Sequence, residues 1–170
     1  MKPLMGFKQA KALFFDRKAV VDATDKATAN VLSKFGAFVR QRAKSSIRRP
    51  GADRDAPKIR NAQGRLVFRR LRVSKPGSPP FSHTGLLKNF IFFTYDPLAR
   101  SVVIGPTLIN KPTGAPEALE YGGVVKAPWW WKSGKNKLGR IKIDARPYMR
   151  PAFEAERPKL PQMWKDSIRP

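Results

Sequence analysis

From Val20 to Ile47 apolar residues return every three or four positions, at Val20, Ala23, Ala27, Val31, Phe35, Phe38 and Ile47. That period is the signature of an α-helix with one buried stripe, and it predicts a helix over residues 19–47. Asp22, Asp25 and Lys26 near its start and Arg40, Arg42, Lys44, Arg48 and Arg49 near its end complement the helix dipole, negative charge first and positive charge last. Asp16 or Asp22 can cap the start, and Pro50-Gly51 stops it. Gly36, in the middle, costs about 1 kcal/mol against alanine unless another backbone has to approach there. A helix this long in a chain of 170 residues must bury its stripe on other elements, and it is expected to lie across a sheet.

The best sheet candidate follows a proline-rich entry. Pro79-Pro80-Phe81-Ser82-His83-Thr84-Gly85-Leu86-Leu87 reads as a rigid approach and a Ser/Thr turn. Phe90-Ile91-Phe92-Phe93-Thr94-Tyr95 then has the aromatic and β-branched content of a strand, Asp96-Pro97-Leu98-Ala99 is a turn, and Ser101-Val102-Val103-Ile104 is the antiparallel partner, ended by Gly105-Pro106. Residues 107–140 read as irregular apart from one or two helical turns over Glu117-Ala118-Leu119-Glu120-Tyr121, with Gly122-Gly123 as a C-cap. Near the C-terminus, Asp144-Ala145-Arg146-Pro147-Tyr148-Met149-Arg150-Pro151-Ala152-Phe153 reads as a strand end turning into a helix. Pro147 and Pro151 make it a rigid corner, tolerated only where a backbone N–H is already spare. Tyr148, Met149 and Phe153 supply apolar surface, and Arg146 and Arg150 share one face if the helix begins near Pro147. Pro158 and Pro161 fit the first turn of a final helix carrying Leu160, Met163, Trp164 and Ile168.

Length favours one domain: an N-terminal arm over residues 1–18, then a single α+β domain over residues 19–170 with a projecting basic loop at 48–80 and a Trp-rich loop at 124–140. The arm carries Phe7 and Phe14 among lysines and is expected to dock on its own domain or on a neighbour. The balance of 35 Lys and Arg against 12 Asp and Glu gives a net charge of +23, which opposes compaction and attracts polyanions. Much of that excess sits in residues 48–80, where Arg48, Arg49, Arg54, Lys58, Arg60, Arg65, Arg69, Arg70, Arg72 and Lys75 face only Asp53 and Asp55. Gly64 to Val73 can form a strand between the prolines. Mobile Lys and Arg contact phosphates without base-reading geometry, so this loop or hairpin suits sequence-independent DNA contact, the alternative being a solvated charge run. Trp129, Trp130 and Trp131 beside Lys126, Lys132 and Lys135 cannot all enter one core from one strand. They resemble a base-stacking platform, but a protein interface is the preferred reading.

Signals for catalysis are sparse. Cys is absent and His83 is the one histidine, which leaves no thiolate or imidazole metal cluster; the acids are scattered, and no phosphate-cradling GxxxxGK[ST] occurs. No catalytic, metal or cofactor role is expected. No apolar run approaches the roughly 18 residues needed to cross a bilayer, and a soluble, non-membrane protein is expected.

The order of motifs, with the long first helix, the Pro80 to Leu87 turn around Thr84-Gly85, Val103-Ile104-Gly105-Pro106, Leu119-Glu120-Tyr121-Gly122-Gly123 and finally Ala145 to Phe153 with its Pro147, Tyr148 and Pro151, resembles the tail-completion (head-tail joining, minor tail) proteins of tailed bacteriophages, the "gene product ten" type of lambdoid phages. The likeness spans about residues 20–168. It implies a small α+β domain with helices packed on a curved antiparallel sheet, assembled as a homo-oligomeric ring, a hexamer or a dodecamer, in the virion neck after synthesis in the host cytoplasm. The implied partners are the head-closure or connector proteins, the tail terminator or tail tube, and double-stranded DNA in the channel. In such a ring Phe7, Phe14, Trp129, Trp130, Trp131, Arg146, Arg150 and Trp164 become subunit-interface candidates, while residues 48–80 become the candidate channel lining. A tail terminator and a free, sequence-independent nucleic-acid-binding protein are the alternatives.

Overall fold

The computed structural model describes residues 17–51, 58–68, 73–107, 114–126, 140–165 and 167. The chain is α+β. Helix α1 (Arg17–Ser46) is followed by β1 (Lys58–Arg60), β2 (Leu66–Phe68), a single turn α2 (Leu86–Asn89), β3 (Ile91–Asp96), β4 (Ser101–Pro106), α3 (Ala115–Tyr121), β5 (Gly123–Lys126), β6 (Arg140–Ile143) and α4 (Met149–Glu156). A 3-10 turn (Arg157–Lys159) then leads into α5 (Leu160–Lys165). The strands pair as three antiparallel two-stranded sheets, β1–β2, β3–β4 and β5–β6, where the sequence suggested a single hairpin as sheet core.

The buried row of α1 is Ala27, Val31, Phe35, Val39, Ala43 and, just past its end, Ile47. These residues advance strictly by four, so the row winds slowly round the helix. The expected stripe took a step of three to Phe38, which stands 42% exposed, and it began at Val20, which is 52% exposed. Burial starts only where α1 meets other elements, at Ala27. Asp22 is a mid-helix residue and no cap, and the first described turn carries no acid, whereas the last carries Lys44.

Phe35, Val39, Ala43 and Ile47 form the core with Ile91 from β3 and Tyr148 and Ala152 from the corner and α4; Leu87, Val102, Ile104, Leu119, Met149, Leu160 and Met163 pack around it. Helix α1 thus lies against β3, β4, α4 and α5. Its closest approach to the sheet is at Gly36, where an added Cβ would stand 2.8 Å from Val102 Cγ2 and 2.9 Å from Phe93 Cδ2. The side chains of Phe35 and Phe153 meet edge to face with centroids 5.8 Å apart, tying α1 to α4 by a geometry aromatic rings favour.

The β3–β4 hairpin runs in the register Ile91 to Pro106 through Asp96 to Ser101, two residues longer on β4 than the predicted strand. Its turn is organised by Asp96, whose Oδ1 accepts from the N–H groups of Leu98 (2.9 Å) and Ala99 (3.2 Å), the local bonding that makes Asp a turn residue. Arg100 closes the turn at φ 45° and pairs with Asp25 on α1. Strand β5 falls in a stretch that the sequence reading left irregular, whereas β6 ends one residue before Asp144, at the corner read as a strand end turning into a helix.

Candidate nucleic-acid interface

The β1–β2 hairpin is built around a tight turn. Asn61 N–H donates to the Arg65 carbonyl (2.9 Å), Gly64 N–H returns to the Asn61 carbonyl (2.9 Å), and Asn61 Oδ1 accepts from Gln63 and Arg65 N–H (3.1 and 2.9 Å). Gly64 sits at φ 74°, the left-handed position that such a turn reserves for glycine. Arg60 donates Nη1–H to the Gly64 carbonyl at 3.0 Å, which fixes one guanidinium across the turn. Lys58 and Arg60 are two apart on β1 and so share a face; both are exposed, as are Arg65 in the turn and Arg48 and Arg49 just beyond α1. The hairpin packs on itself and makes no extensive contact with another described element. It therefore offers cationic side chains to solvent from a stem of defined geometry. Of the expected channel-lining residues, Arg54, Arg69, Arg70 and Arg72 lie outside the described residues, as do Phe7, Phe14, Trp129, Trp130 and Trp131.

A second cationic group was not singled out from the sequence. Arg40, Lys44 and Lys88 gather at the Ile91 end of β3, where Arg40 and Lys44 each stand 5.8 Å from the centroid of the Phe92 ring. Desolvation first, and then the charges of Arg40 and Lys88, push the Lys44 pKa below the usual lysine value. The spacing of Arg40 and Lys44, one helical turn apart, was the available signal.

The corner residues are held from within the chain. Arg146 donates Nε–H to the Ser74 carbonyl (3.1 Å), Nη1–H to the Asp144 carbonyl (3.0 Å) and its backbone N–H to the Leu119 carbonyl (2.6 Å). Gly77 N–H reaches the Ala145 carbonyl at 2.8 Å. Arg146 precedes α4, so it does not share a helical face with Arg150, which is exposed and pairs with Glu154 at 2.8 Å. Trp164 is half-buried in α5. The centre of the corner is Glu120. Its carboxylate accepts the N–H groups of Tyr148 (2.9 Å), Met149 (3.0 Å) and Arg150 (2.7 Å). A helix leaves its first four N–H groups unpaired; here one carboxylate takes three, and the next position is Pro151, which has none. The negative charge also faces the positive end of the helix dipole. Gly122 ends α3 at φ 79°, and an added Cβ would lie 3.3 Å from the Ala145 nitrogen, so glycine is required there by both conformation and space. Thr84 and Gly85 introduce α2, with Gly85 at its N-cap at φ 83°, and Gly105 lies opposite Phe92 in the β3–β4 ladder.

A shallow cleft of about 470 Å³ between α1 and the C-terminal helices is lined by Phe38, Gln41, Arg42, Ser45, Glu156 and Lys159. Glu156 is buried, with the Arg42 guanidinium on Oε1 and the Lys159 ammonium 2.8 Å from Oε2. The hydrogen bond from Lys159 lowers the Glu156 pKa most; desolvation opposes it, and Arg42 adds to the lowering. A carboxylate depressed in the folded state stabilises the protein above its unfolded pKa, about 4.3 for Glu, and loses that contribution as pH falls through the lower folded value. In unfolding titrations the stability gap between wild type and Glu156→Gln is expected to be full at neutral pH and to close below about pH 4; a pH-independent gap contradicts this pairing. Among the described residues no three His, Asp or Glu side chains converge as a metal site would need.

No family model, no curated protein and no solved structure matches the chain.

Proposed function

We propose that the chain is a structural protein of the neck of a tailed phage particle, a tail-completion or head-tail joining subunit that forms a ring round the DNA channel between head connector and tail tube. The observation that carries this reading is the exposed β1–β2 hairpin with Lys58, Arg60 and Arg65, which follows the exposed Arg48 and Arg49 at the end of α1 along the chain, on a chain of net charge +23. A ring that conducts duplex DNA has to tolerate any sequence and allow sliding. Diffuse positive charge does both, because phosphate contacts carry affinity without sequence information. The α+β fold, with α1 laid across the β3–β4 hairpin and the corner locking α4 against it, supplies a rigid body from which the hairpin can reach the lumen. The remaining excess charge is free to meet acidic surfaces on neighbouring rings.

Duplex binding by the assembled protein tests this. Replacing Lys58, Arg60 and Arg65 together with Gln is expected to make the slope of log K against log salt less negative by about 2 to 3, at about 0.9 per phosphate contact, with equal effects on unrelated sequences. An unchanged slope, or discrimination between sequences, contradicts the channel role. Equally strong, salt-sensitive binding by an isolated monomer would favour a free nucleic-acid-binding protein.

A further inference from the structure

In the stretch from Asn89 to Asn110 there is one basic residue, Arg100, in a chain with 35 Lys and Arg, and it is held by Asp25. Strands β3 and β4 fall in this stretch and form a sheet of two strands only. The outward face carries Phe92, 45% exposed, and Val103, 61% exposed, with exposed Thr94 directly opposite Val103.

The phase of the ladder shows which backbone groups are open. Thr107 N–H donates to the Phe90 carbonyl at 3.0 Å, and Phe90 faces Thr107 when the Ile91–Pro106 register is extended by one. Bonded pairs therefore recur at Phe92 with Gly105, Thr94 with Val103 and Asp96 with Ser101, and the alternate residues turn their N–H and C=O away from the partner strand. These are Ile91, Phe93 and Tyr95 on β3, and Val102 and Ile104 on β4. The Ile91 carbonyl indeed points off the ladder, where Arg40 Nε–H meets it at 2.8 Å. At Phe93, Tyr95, Val102 and Ile104 no other backbone partner occurs among the described residues. Long apolar edges of this kind pair with another strand unless a charge or proline blocks them; the charge and the proline of these strands, Asp96 and Pro106, stand at strand ends, and neither occurs over Phe93–Tyr95 or Val102–Ile104.

We propose that β4 adds edge to edge onto the Phe93–Tyr95 part of β3 in a second copy of this chain, so that hairpins join head to tail. Two features select a second copy. The two open edges lie on opposite sides of one hairpin, so one copy's β4 fits the next copy's β3 and leaves another β4 exposed, the heterologous arrangement that closes into a ring when its rotation permits. Moreover, chains of +23 repel wherever their basic faces meet, and beyond the Arg40, Lys44 and Lys88 group at the Ile91 end the strip from Phe93 to Pro106 carries one base, Arg100, already paired with Asp25. The inference rests on the ring reading and names its subunit contact.

The chain has no cysteine, so introduced thiols report on this contact alone. Mixing Thr94→Cys protein with Val103→Cys protein under oxidation, or with a short bismaleimide, is expected to give cross-linked pairs, and neither variant alone should. Val103→Lys, at an exposed position that leaves the fold intact by its unfolding curve, should weaken self-association measured by sedimentation about tenfold or more. Cross-linking of Val103→Cys with itself would show a two-fold β4–β4 contact and overturn the head-to-tail arrangement. Oligomers unaffected by Val103→Lys and without mixed cross-links would overturn the inference while leaving a ring in place. A wild type that stays monomeric also overturns it, and particle imaging then decides the ring reading separately.

Discussion

Glu120→Ala is expected to lower the unfolding free energy by about 3–5 kcal/mol, since each buried donor left without an acceptor costs about 1–3 kcal/mol and three N–H groups lose theirs at once. Glu120 is 9% exposed, so water cannot readily replace the carboxylate. For a chain of this length each kcal/mol moves the melting temperature by about 2–4 °C, and a drop of about 10 °C should be seen by calorimetry. Glu120→Gln keeps one acceptor oxygen but turns an amide N–H₂ toward the remaining donors, and should fall roughly midway. Glu154→Ala, on the exposed face of α4, whose first N–H groups Glu120 holds from α3, and where its pair with Arg150 is solvated, should change stability by about 0.5 kcal/mol or less. Equal stability of Glu120→Ala and Glu154→Ala would show that the corner is not held as described.

Gly36→Val is expected to cost about 3 kcal/mol or more. Alanine at an interior helix position normally gains up to about 1 kcal/mol over glycine, but overpacking a well-filled interface costs about 1–3 kcal/mol. Here the Cβ would fall within 2.9 Å of the Phe93 ring and 2.8 Å of Val102, on a sheet that is itself pinned to α1 through Ile91 and Arg40. The second effect wins, so Gly36→Ala should already destabilise, and valine adds two further carbons and a β-branch that restricts χ1. Urea midpoints of the two variants check the order; a stabilised Gly36→Ala would mean that α1 and the hairpin do not approach as closely as found.

These two positions also show what could be read in the chain beforehand. A close approach at Gly36 was legible as the reason for a glycine inside a strong helical pattern, although what approaches is a pair of side chains and not a backbone. The corner at Pro147 and Pro151 was legible as a helix start, but its acceptor was not: Glu120 lies 28 residues from Tyr148, and nothing local links an acid on one short helix to the N–H groups of another. The exposure of Phe38 and the burial of Val39 were undecidable from periodicity, because steps of three and four both keep a residue on one helical face until the packing partner is known. Strand β5 was passed over, being only four residues long inside a stretch read as irregular, and β6 was read only by its end at the corner, even though Arg140-Ile141-Lys142-Ile143 alternates with the period of two that marks a strand. The basic segment was legible because charge is local, but its turn was not: Gly64 and Arg65, expected at the start of a strand, lie in the turn held by Asn61, and the strands are Lys58–Arg60 and Leu66–Phe68. The cluster round Phe92 was missed because Lys88 joins Arg40 and Lys44 only through the fold.

The central claim, a ring round the DNA channel, is tested most directly by imaging DNA-filled phage particles that contain this chain, with subunits resolved. The account predicts a closed ring in the neck, between head connector and tail tube, with Lys58, Arg60 and Arg65 facing the duplex. A location elsewhere in the particle, or a neck ring whose β1–β2 hairpins point away from the DNA, would contradict it.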